Sequence, residues 1–151
     1  MKLQNDLEDN CNKIKKRNYM EMKIYFPGGK KVDALYKGFT IKTDQPVDEG
    51  GAGSAPEPFS LFLTSIGTCI GIYVLSFCQR NQIPTEDMKL ILTFEKNQET
   101  HMIENVQTNI FLPKEFPEKY KKAVVKTAEL CTVKRHMEKP PKFTITVSKK
   151  E

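Results

Sequence analysis

A chain of 151 residues is long enough for one domain with a real core, and 38% hydrophobic residues, nine Phe and five Tyr among them, mark it as globular. The formal charge of +5 comes mostly from 21 Lys against 3 Arg, scattered among acids, so no basic stripe interleaved with aromatics is present and nucleic-acid binding is not expected. Four cysteines (Cys11, Cys69, Cys78 and Cys131) are too few and too far apart for a disulfide-stapled secreted scaffold.

The opening MKLQNDLEDNCNKIKKRN has no apolar run of a secretory signal, and its acids argue against a transit peptide. A reducing, cytoplasmic setting is the expectation, and there a cysteine pair is more often chemical than structural. Residues 1–18 read as a polar N-terminal arm, followed by one domain over 19–151.

In that domain the apolar positions Met20, Met22, Ile24 and Phe26 alternate at strand period, and PGGK marks a turn. Strands near 20–26, 31–36 and 38–43 then form an antiparallel meander. QPVDEGGAGSAPEP is a loop; its GGAG lacks the strand, the Gly-Lys-Ser/Thr and the helix of a phosphate loop. Pro58 suits the first turn of a helix, and from Phe59 to Cys78 no charged residue occurs before the stop at Gln82–Ile83–Pro84. KLILTFEK (89–96) and VQTNIFLP (106–113) read as strands, residues 116–131 as an amphipathic helix with Tyr120, Ala123, Val124, Thr127, Ala128 and Cys131 on one stripe, residues 132–138 as a short helical turn, and KFTITV (142–147) as a last strand. That order predicts an α+β fold.

The uncharged helix has the length of a membrane span. Ser60, Thr64, Ser65, Gly67, Thr68, Gly71 and Ser76 dilute its hydrophobicity, and the half-buried strands around it want a soluble core, so no membrane is expected. An all-round apolar helix is otherwise a buried central one, and Gly67 and Gly71, four apart, allow a second helix close approach. Burying the whole helix is easier in a dimer than in a monomer of this size.

Cys69 and Cys78, nine residues apart on one helix, are separated by about 13.5 Å along its axis. A disulfide needs Cα atoms within about 7 Å, so they cannot pair while the helix stands. Cys78 reads as filler, and Cys11 has no identifiable partner. Cys69 and Cys131 face inward from two different helices. They are either small apolar residues in a helix seam or a reactive pair. Lys134, Arg135 and His136 follow Cys131, and cations there would lower a nearby thiol pKa; Cys69, deep in its helix, needs a cation from elsewhere. His101 is isolated, and two His with four dispersed Cys make no metal site.

GFTIKTDQP…GG…APEPFSLFLTSIGTCIGIYVLSFCQRNQIP, with Asp44 at its strand end, resembles the OsmC/Ohr family of small thiol proteins, and CTVKRHM is similar to that family's second-cysteine motif. The likeness runs from about residue 20 to 148. It implies an OsmC-like fold: curved antiparallel sheets around two long central helices in an intertwined homodimer. It further implies thiol-dependent reduction of organic hydroperoxides or hydrogen peroxide, with Cys69 as the peroxidatic thiolate, Cys131 as the resolving thiol and an external dithiol as reductant. No metal, flavin or nucleotide cofactor is implied. Members similar to Ohr carry a Glu ten residues before the cysteine, paired with an Arg; here that position is Phe59, with Glu57 two residues earlier. GGKK stands where some members have Gly-Gly-Arg, which leaves Lys30 or Lys31, with Arg135, as supporting cations. The alternative is a non-enzymatic OsmC-like dimer that binds a small apolar molecule or senses redox state.

Overall fold

A computed structural model of the chain describes residues 20–149. They fall into two compact units that divide at Pro58. The expected N-terminal arm and Cys11 lie outside the described residues.

The first unit is an antiparallel meander of β1 (Lys23–Gly28), β2 (Lys31–Tyr36) and β3 (Phe39–Ile41). Ile24 pairs with Ala34 and Ala34 with Ile41. The β1–β2 turn runs through Gly28 and Gly29 at φ of 116° and 60°, the left-handed region where a residue without Cβ is favoured. The expected apolar stripe is present but uncovered: Met22, Ile24 and Phe26 are 49%, 48% and 80% exposed.

The glycine-rich loop that follows is organised by Asp44, which is fully buried. One carboxylate oxygen accepts the Gln45 N–H; the other accepts the N–H groups of Ala52 and Ser54 and the Ser54 hydroxyl, the last at 2.7 Å. The chain closes so tightly here that a Cβ on Gly51 would stand 1.9 Å from the Gln45 carbonyl oxygen. A side chain at residue 51 is thereby excluded.

The second unit opens with α1 (Pro58–Arg80), whose one charged residue is Arg80. The helix is long and apolar enough to cross a membrane by length and composition. Its Ile66, Ile70, Val74 and Cys78, spaced four apart on one face, are buried. They pack with Leu90, Leu92 and Phe94 of β4 (Lys89–Lys96) and Val106 and Ile110 of β5 (Ile103–Phe111). These two strands form an antiparallel pair with Leu90 opposite Ile110 and Phe94 opposite Val106. Gly67 works against this sheet rather than against another helix of the chain, since a Cβ there would stand 3.4 Å from Leu92 Cδ1, while one on Gly71 would meet nothing within 4 Å. The expected burial of α1 on all sides is not met within the described chain: Phe59 and Ile72 are 49% and 54% exposed.

After β5, a 3-10 turn at Glu118–Tyr120 leads into α2 (Lys121–Ala128). Val124 is fully buried, and Tyr120 meets the edge of Phe77 with ring centroids 5.7 Å apart. The helix expected over 116–131 is therefore shorter. Leu130 and Cys131 donate to the carbonyls of Thr127 and Ala128, three residues back, and this tightening ends it. Cys131 instead begins α3 (Thr132–Glu138), the short helix expected there. The strand expected at 142–147 is absent from the described chain: residues 139–149 form no regular element, and Phe143, Ile145 and Val147 are almost wholly exposed. Alternation identifies a face that needs covering and an edge that needs a partner, but not which chain provides either.

The four hydrogen bonds to its carboxylate hold the Asp44 pKa down at about 2 against an ordinary 3.8, the Ser54 hydroxyl and N–H contributing most. A depressed carboxylate pKa stabilises the folded state above the unfolded value, and that stabilisation drains away as pH falls through the folded value. Thermal unfolding of wild type is therefore expected to lose midpoint between about pH 4 and pH 2 more steeply than Asp44→Asn, which starts lower at neutral pH and has no such limb. Parallel curves for the two proteins over that range would refute the role given to Asp44.

Candidate functional site

Cys69 sits half-buried in the middle of α1 beside the core stripe, while Cys131 is completely buried. The two helices that carry or follow these residues meet here. α2 ends, the chain turns through Glu129 and Leu130, and Cys131 becomes the N-cap of α3 with its Sγ accepting the Lys134 N–H at 3.5 Å. From this turn the backbone N–H groups of Val133 and Thr132 and the Cys131 thiol act electrostatically on the Cys69 sulfur.

The two thiols are driven apart in acidity. Burial acts to raise the Cys69 pKa, but the Val133 N–H, the Cys131 thiol and the Thr132 N–H outweigh it and bring it below the ordinary thiol value. At Cys131 burial wins: the thiol is pushed up, the Cys69 sulfur opposes its ionisation as well, and the Lys134 and Val133 N–H groups only partly compensate. The cations expected to activate a thiol here do not do so. Lys134 Nζ pairs with Glu138 Oε1 at 3.1 Å, His136 Nδ1 lies 2.8 Å from the Thr132 carbonyl, and Arg135 is exposed. Among the described residues, what favours the Cys69 thiolate is backbone N–H and a neighbouring thiol.

Cys78, fully buried with its Sγ 3.8 Å from Met88 Sδ, has its pKa raised by burial. Lys30 and Lys31 lie at the β1–β2 turn of the first unit and are exposed; Glu57, half-buried, lies at that unit's end. The second unit thus brings together Cys69 and Cys131 and holds Arg135 at its surface. One neighbour is not evident from the sequence. Tyr73, one turn beyond Cys69 on α1, has its hydroxyl 2.7 Å from Thr132 Oγ1.

A thiol with a lowered pKa against a protonated one can exchange two electrons and two protons for a disulfide without any bound cofactor. This pair lies in a stretch with a recognised signature: the profile for OsmC-like proteins matches residues 51–146, well over half of the sequence. The chain belongs to the OsmC-like family. The OsmC-like fold extends to solved structures. A protein from Psychrobacter arcticus 273-4, named for osmotic stress induction and a detoxification response, superimposes with a TM-score of 0.66 at 23% identity, covering 79% of this chain and 88% of its own. A hypothetical protein from Aquifex aeolicus VF5 gives 0.64 at 16% identity, with coverage of 82% and 90%. An OsmC-like protein from Mycoplasma pneumoniae gives 0.63 at 10% identity, with coverage of 80% and 88%. At these identities the likeness concerns the fold. No curated protein matches the sequence.

The asymmetry of the pair has a direct chemical readout, because the thiolate is the species that alkylates. Limiting iodoacetamide at neutral pH, followed by peptide mapping, is expected to label Cys69 of the OsmC-like chain at least about tenfold faster than Cys131 or Cys78. Equal labelling of Cys69 and Cys131 would contradict this order of acidity.

Proposed function

We propose that this chain is a cysteine-based peroxidase that reduces organic hydroperoxides, or hydrogen peroxide, by way of Cys69. One feature carries the reading: a thiol whose pKa is lowered lies beside a second thiol whose pKa is raised. The Cys69 thiolate attacks the peroxide O–O bond; one oxygen stays on sulfur as the sulfenic acid, and the other leaves as alkoxide or hydroxide, which a proton converts to alcohol or water. Cys131 then attacks the sulfenic sulfur, water departs and a Cys69–Cys131 disulfide remains. An external dithiol supplies the two electrons that restore both thiols. The uncharged surface of α1 suits an apolar hydroperoxide, and a reducing cytoplasm would sustain the cycle.

The test is stoichiometric cumene hydroperoxide added to reduced protein, read by intact mass and non-reducing peptide mapping. The expected outcome is loss of two hydrogens and a Cys69–Cys131 link within minutes. Cys69→Ser should be inert, and Cys131→Ser should stop at the sulfenic acid. Wild-type protein that stays reduced would sink the peroxidase. It would favour a dimer that binds an apolar molecule or senses redox state, a reading supported by the lack of any charged side chain among the described groups that act on Cys69.

We further propose that the protein works as a homodimer. Ile72 on α1 and the alternating Phe143, Ile145 and Val147 are the surfaces that support this, each more than half exposed in a single chain. Light scattering is expected to give twice the chain mass for wild type, and Ile72→Asp combined with Ile145→Asp should shift it to one chain. A wild type that runs as a single chain at all concentrations tested would remove the dimer.

A further inference from the structure

We propose that Tyr73 is a positioning residue for Cys69: its hydroxyl, 2.7 Å from Thr132 Oγ1, fixes the first turn of α3 against α1, so that the Thr132 and Val133 N–H groups meet the Cys69 sulfur. The inference rests on reading Cys69 as the reactive thiol, and it adds the residue that keeps the stabilising groups in place.

The geometry makes the link short. Tyr73 follows Cys69 by four residues, which puts the two on the same side of α1 about 6 Å apart along its axis. Thr132 is the residue immediately after Cys131. The Tyr73–Thr132 bond therefore ties the helix bearing Cys69 to the turn bearing Cys131, within one turn of both sulfurs.

α3 needs such a tie. It has seven residues, too few to be stable alone, and Thr132, Lys134, Arg135 and His136 on it are exposed. Among the described residues it is also held by Val133, partly buried against the core, and by the Cys131 Sγ cap at 3.5 Å, sulfur being a weak acceptor. Val133 anchors by apolar contact, which resists withdrawal but not a small slide or rotation. The Tyr73 hydroxyl supplies the directional restraint. Hydrogen bonds lose strength steeply with distance and angle, so a slip of α3 by a fraction of its turn would release the Cys69 contacts while leaving the core intact.

Among the described residues, no other charge would mask the loss. α1 presents no charged residue before Arg80; Cys131 is the titratable neighbour from the turn; on α3, Lys134 is paired with Glu138, and Arg135 and His136 are exposed. Removing one hydroxyl should therefore move the titration of Cys69 itself, whereas a residue that merely filled space would leave it where it was.

The experiment measures the rate of iodoacetamide alkylation at Cys69 of the reduced full chain across pH 5–10, resolved by peptide mapping, in wild type, Tyr73→Phe, Thr132→Val, Thr132→Ser and the Tyr73→Phe/Thr132→Val double variant. Tyr73→Phe keeps the ring and loses only the hydroxyl. It is expected to shift the Cys69 profile to higher pH and slow labelling at neutral pH roughly fivefold, the worth of one ordinary hydrogen bond, with Cys78 unchanged. Thr132→Val should do the same, Thr132→Ser should retain the wild-type profile, and the double variant should be no worse than either single one. A wild-type Cys69 profile in Tyr73→Phe, or in Thr132→Val if Tyr73→Phe fails to fold, overturns the proposal. Alkylation requires no peroxide turnover. A shifted profile in a chain that ignores hydroperoxide would therefore uphold Tyr73 while removing the peroxidase, and an unshifted profile in a chain that consumes hydroperoxide would do the reverse.

Discussion

The docking of an uncharged helix on a two-stranded sheet is the contact on which the rest of the second unit depends. Ile66, Ile70, Val74 and Cys78 form one buried line on α1, and beside it Gly67 faces β4, where a Cβ would stand in van der Waals contact with Leu92, 3.4 Å away. Once this face is committed, the position of Cys69 is settled: beside the buried line, half-covered, and out of reach of any charge on its own helix. Substituents large enough to push α1 off the sheet would move the sulfur with it. Stability and reactivity here share one set of contacts.

That same absence of charge fixes how the thiolate can be supported. A sulfur in an apolar setting is penalised for ionising, as Cys78 illustrates, since burial raises its pKa. Cys69 escapes because the chain between α2 and α3 folds back to meet it with N–H groups and a second thiol. Cys131 occupies the opposite end of the balance: deeper, and ionising next to a sulfur already favoured as the anion. Two chemically identical side chains are thereby shifted in opposite directions in acidity by one turn of backbone, and this division of labour is what a nucleophile and a resolving thiol require.

Much of this is legible in the sequence, for reasons that differ by element. α1 can be read because Pro58 opens it and a run without charge fills it; the short helix at 132–138 and the paired strands can be read because hydrophobic period is a local property. The C-terminal strand cannot, because KFTITV has the right alternation while pairing is not local. Acidification of a thiol near Cys131 is expected from Lys134, Arg135 and His136, and Cys69 is expected to need a cation from elsewhere, since charge is visible in a sequence and the direction of an N–H bond is not. Tyr73 gives a faint signal only, a polar tip four residues beyond the cysteine on a helix otherwise fit for burial. Asp44 is recognisable as the end of a strand, but its four hydrogen bonds depend on how the loop closes over Gly51.

The choice of backbone N–H over a side-chain cation has a physical consequence for the wall around the sulfur. A guanidinium or ammonium brought against α1 would have to shed its water, a penalty recovered only with a well-placed partner carboxylate. N–H groups at the start of α3 offer partial positive charge with no ion to desolvate, and they leave the surrounding surface apolar. They are also held by covalent geometry, so less side-chain freedom is lost in presenting them than in ordering a long basic side chain. The limit of this device is strength: neutral donors stabilise an anion less than an ion pair does. A thiol supported in this way is poised rather than fully ionised, and its acidity responds to small movements of α3. That sensitivity gives a single hydroxyl, on Tyr73, leverage over the sulfur one turn away.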